Sequence, residues 1–99
     1  MPNVNTLFAI IAVSSPAEVE KRLAAATPWL SLNVSEGQWL LVAPSATTTK
    51  EVSDKLGISE GEAGNGIVLR VETYFGRTAG STWEWITAKM GVALVSPSA

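Results

Sequence analysis

The chain has no cysteine, which removes disulfides, thiolate metal sites and sulfur nucleophiles. It also has no histidine, so the commonest general base, the usual metal ligand and the side chain that titrates near neutral pH are missing together. Charge is sparse: 16% of residues are charged and the formal net charge is -2, giving no electrostatic pull toward nucleic acid or an anionic membrane. Long apolar runs are missing too. The longest near the start, Leu7 to Val13, is far too short to span a bilayer, and no basic residue precedes Lys21, as a secretory leader would require. The expectation is a cytoplasmic protein with no membrane partner and no cofactor.

What is present is apolar. Such residues make up 46% of the 99 residues, enough for one core without staples, and four of the seven aromatics are tryptophan. The whole chain reads as one domain over residues 1–95, with 96–99 a frayed tail.

The patterning predicts strands and helices in the order β-α-β-β-α-β-α. Residues 5–13 form a strand that is apolar on both faces. "SSPAEVEKRLAAA" is a helix start: Ser15 as cap, Pro16 at the first helical position and Glu18 closing a capping box. Leu30 to Ser35 alternates, Glu36-Gly37 turns, and "QWLLVA" returns as a second strand without a polar face. In "TTTKEVSDKLGI" Thr48 and Glu51 form a capping box, and Gly57 stops the helix with Ile58 folding back. Residues 67–75 form the last strand, and residues 81–90 the last helix.

The unbroken strands belong at the centre of a sheet and the striped ones, 30–35 and 67–75, at its edges. An antiparallel sheet of order 4-1-3-2 with right-handed crossovers satisfies this: an α+β chain with the plan of a ferredoxin-like plait plus a C-terminal helix. One row of the first strand, Leu7-Ala9-Ile11-Val13 or Phe8-Ile10-Ala12, then cannot lie under the first two helices. A bare apolar row marks an interface, so a homodimer is expected, with Phe8 and Ile10 and the aromatic Trp85 as its contacts. An unidentified protein partner is the other candidate; nucleic acid is not expected.

The stretch "YFGRTAGSTWEW", residues 74–85, carries the densest polar chemistry. It departs from the phosphate-binding loop in spacing and in having Ser81 where the lysine belongs. Ser81 with Glu84 reads as a third capping box, and Gly76 and Gly80 as the hinges of a turn. Weak anion binding by Arg77 with Gly80 and Ser81 at a helix N-terminus is the functional reading of the same residues. Arg70, Glu72 and Tyr74 alternate on the last strand, so Arg70 and Tyr74 could line a polar site on the open sheet surface. Trp83 and Trp85 lie roughly 200° apart round the last helix, which predicts that one faces outward.

The succession of a helix, a hairpin "EGQWLLV", a threonine-rich helix start and "YFGRTAGSTWEWI" resembles small bacterial proteins related in fold to the CRISPR-associated small nuclease family. That family forms dimers of ferredoxin-like subunits and carries a metal-binding aspartate at the end of its first strand. Ser14 and Ser15 stand there in this chain, and Asp54 is its first aspartate. The resemblance therefore implies the fold and the dimer rather than the nuclease. Three functions follow as expectations: a non-catalytic dimeric interaction or scaffold protein, a nucleic-acid-associated relative of the small nucleases, and a small-ligand binder using the open sheet face.

Overall fold

A computed structural model describes residues 5–73, 76 and 80–91 of the chain. The elements are β1 (Asn5–Ala12), α1 (Pro16–Ala24), β2 (Leu30–Ser35), β3 (Gln38–Pro44), α2 (Thr49–Lys55), β4 (Gly66–Val71) and α3 (Gly80–Met90). The four strands form one antiparallel sheet in the order β2-β3-β1-β4, which is the expected 4-1-3-2 counted from the opposite edge. The two strands with no polar face are in the middle because each must be covered on both sides.

The local signals act unevenly. Around α2 they hold: Thr48 Oγ1 accepts from the Glu51 amide, and Glu51 Oε1 accepts from the Thr48 amide, each at 3.1 Å. Gly57 follows at φ 73°, and the Ile58 amide reaches back to the Ser53 carbonyl at 2.9 Å, the reversed bond of a left-handed helix stop. At α1 the expected box is not made. Ser15 is the N-cap residue but its side chain makes no capping hydrogen bond, and Glu18 instead meets Arg22 Nε at 2.9 Å. An arginine one turn ahead is a stronger partner for a carboxylate than a backbone amide that Pro16 has already pre-set. At α3 the helix begins at Gly80, so Ser81 lies inside the first turn rather than ahead of it. The cap reading of Ser81 is corrected accordingly. β4 stops at Val71, with a bend at Glu72, several residues short of the expected end.

Two cores sit on opposite faces of the sheet. The larger joins Phe8, Ile10, Trp39 and Leu41 to Val19 and Leu23 of α1 and to Val52 and Leu56 of α2. Each such side chain contributes roughly 1.5–3 kcal/mol on leaving water. The smaller joins Leu7 and Val42 to Ile86 of α3, with Leu30, Val71, Trp83, Trp85 and Met90 packed round them. The even-numbered row of β1 thus lies under α1 and α2. Phe8 and Ile10, expected at an interface, are completely buried there. Either row was apolar enough for either face; the connection through α1 decides which one it covers.

Candidate functional site

The strand register shows what each side of the sheet presents. Opposite Leu7 lie Val42 and Val71; opposite Ala9 lie Leu40 and Leu69; opposite Ile11 lie Gln38 and Ile67. Leu30 and Leu32 of β2 continue the first two rows. These residues share the side away from α1 and α2. Asn5 and Gln38 are the polar strand residues on it, one at each end, and the Asn5 amide is bonded to the Lys89 carbonyl at 2.9 Å.

The striped edge strands are therefore turned with their apolar stripes toward this side. Their polar stripes, Ser31 and Asn33 on β2 and Arg70 on β4, face the rim of the helical side, where α1 and α2 cover only the middle of the sheet. All three polar residues are exposed. The expectation placed Arg70 on the open sheet surface. It lies instead on the same face as Phe8, with its guanidinium 3.6 Å from Glu72.

Among the described residues, α3 is the element that packs on the second side, and it covers one end of it. Ile86 plugs the Leu7–Val42 row, and the C-terminal turn reaches Asn5. Trp83 and Trp85 both pack against this cluster, against the expectation that one would face away. Ile86 lies between them on the helix, about 60° from Trp83 and 100° from Trp85, and an indole on either flank is long enough to lean onto the sheet. Trp85, expected at an interface, is half-buried in this packing.

The other end of the sheet side, from Ala9 to Ile11 and across β2 and β4, has no such cover among the described residues. Ile67 is 51% exposed, Leu69 47% and Val34 42%. Val13, just past the end of β1, is 64% exposed and tied to the Asn65 carbonyl through its amide at 2.8 Å. Where α3 meets the bare sheet there is a cavity of about 200 Å³ between Leu7, Val34, Leu40 and Val71 on the strands and Thr82, Trp83 and Ile86 on the helix. Its lining carries no charged group.

The polar candidates do not assemble. Tyr74 and Arg77 lie outside the described residues. Gly80 and Ser81 are exposed in the first turn of α3, and Arg70 is on the opposite side of the sheet from the cavity that α3 borders. The ionisable groups with shifted affinities are a surface pair: Lys50 Nζ donates to Asp54 Oδ2 at 2.8 Å. That hydrogen bond raises the Lys50 pKa and lowers the Asp54 pKa, with Ser59 adding to the latter. Among the described residues no group of three or more acidic side chains is placed to hold a metal ion. No described helix is long and apolar enough to cross a membrane.

The residues that distinguish this face, Val34, Ile67 and Leu69, were not among those expected. The signal for them was the apolar half of each striped strand, Leu30-Leu32-Val34 and Ile67-Leu69-Val71. An edge strand facing water on its second side would carry its polar stripe there. No protein-family model, no curated protein and no solved structure matches this chain.

Proposed function

We propose that this chain is a homotypic interaction module: a ferredoxin-like plait with an added helix, acting by binding rather than catalysis, and docking through the end of the sheet that α3 leaves bare. The observation that carries the reading is the orientation of the edge strands, whose Ile67, Leu69 and Val34 stand half-exposed on an otherwise apolar face. Isolated exposed aliphatics are ordinary, but a contiguous row crossing four strands marks a contact surface.

The size of the surface sets the strength of the contact. Four strands about 4.8 Å apart and three rows about 6.8 Å apart give a patch of roughly 400 Å² in plan. With side-chain relief it comes to roughly 500–700 Å² per copy, the low end for specific interfaces. A dimer with a micromolar dissociation constant follows.

Sedimentation velocity from low to several hundred micromolar protein tests this. The expected result is a concentration-dependent shift from monomer to dimer, abolished by Leu69→Glu with the circular dichroism spectrum unchanged. A wild-type monomer across the whole range overturns the proposal.

A further inference from the structure

The shape of this face limits how a second copy can sit on it. Two sheets packed face to face lie about 10 Å apart. α3 occupies that same layer at the Leu7–Val42 end of the sheet. A twofold axis parallel to the strands would bring the two copies of α3 into one space between the sheets. A twofold axis in the interface plane, perpendicular to the strands, moves them to opposite ends and lets the bare halves meet.

We infer that the chain forms a staggered twofold sandwich in which the bare half of each sheet covers the bare half of the other, with the two copies of α3 bracketing the contact. The inference rests on the self-association proposed above and names its geometry. Its second support is the cavity. With the axis between the Ala9 and Ile11 rows, the row one step beyond Ile11 in one copy falls over the Leu7 row of the other. Val13 occupies that row and is the most exposed large apolar side chain described. The uncharged cavity walled by Leu7, Leu40, Val71 and Trp83 is the place it reaches. Its volume of about 200 Å³ accepts a branched aliphatic side chain, and its lining offers that side chain no polar group to strand. An exposed valine and an unfilled apolar cavity, separately unexplained, become the two halves of one contact made twice, as an isologous interface requires.

The chain lacks cysteine, so a single introduced thiol carries a spin label without background. Thr87, exposed on α3, is the site of choice. In the staggered sandwich Thr87→Cys labels on the two copies lie roughly 25–35 Å apart, from the strand rise between the α3 end and the axis, doubled. Pulsed dipolar spectroscopy at a concentration where wild type is dimeric is expected to read that range. A distance under about 20 Å places the two helices together and overturns the geometry, while no dipolar coupling at all overturns self-association as well. Val13→Glu separates the two ideas a second way. It is expected to raise the dimer dissociation constant at least tenfold, with an unchanged circular dichroism spectrum. Dimerisation that survives Val13→Glu but not Leu69→Glu leaves the bare face as the contact and removes the staggered fit.

Discussion

Single residues show which local signals survive folding. Thr48 and Glu51 form both bonds of their capping box because nothing else competes for either group. Thr48→Ala is expected to lower stability by about 0.5–2 kcal/mol, read as a shifted urea midpoint at constant slope. Glu18 was legible as a first-turn carboxylate, but its choice of Arg22 over the Ser15 backbone was not, since both lie within reach along the chain. The Asp54–Lys50 pair has a defined pH signature. Asp54 is held below its ordinary 3.8 by the Lys50 hydrogen bond, so its stabilising effect is present above that value and fades as pH falls through the lowered one. Lys50, raised above its ordinary 10.5, keeps its share below that value and loses it as pH climbs past the raised one. Asp54→Asn is therefore expected to flatten the stability profile between about pH 5 and pH 3. Urea unfolding of both proteins across that interval checks it; parallel profiles would show that solvent screens the pair completely.

Elements divide by how much of their environment their own pattern encodes. β1 and β3 carry apolar residues on both faces, and that alone places them centrally. β2 and β4 alternate, which marks them as edges, but alternation does not say toward which side the apolar half turns. Their direction here, with Leu32 and Leu69 on the α3 side, follows from hydrogen-bond register with β3 and β1. α3 is the element whose role depends most on context. Its Ile86 is buried between Leu7 and the flanking tryptophans, so Ile86→Ala is expected to cost about 2–5 kcal/mol and to loosen α3 from the sheet. Tryptophan fluorescence would then shift to longer wavelength before the circular dichroism signal is lost on titration with urea. Coincident transitions would mean that α3 unfolds only with the rest of the sheet. Phe8→Ala, on the opposite core, is expected to cost about 3–5 kcal/mol, a large part of the roughly 5–15 kcal/mol available to a domain of this kind.

At the scale of the whole molecule, the sheet has one fully packed side and one half-packed side, and self-association is the proposed outcome. An apolar contact between copies of net charge -2 is expected to hold, or strengthen slightly, as salt is raised from tens to hundreds of millimolar, because screening weakens their mutual repulsion. A dissociation constant that rises steeply with salt would point to ion pairs instead of Ile67, Leu69 and Val13. The amino-acid order by itself determined the element succession, the central and edge strands and the α2 cap. Each depends on neighbours close in the chain or on the presence of polar groups, both of which a pattern of residues records. The tertiary structure alone decided which row of β1 goes beneath α1 and α2, that Arg70 and the apolar stripe of β4 lie on opposite sides, and that α3 covers one end of its face. Two rows of nearly equal hydrophobicity leave the burial energy almost indifferent between faces. The hand of the crossover and the reach of α3, which are properties of the assembled backbone, break that tie.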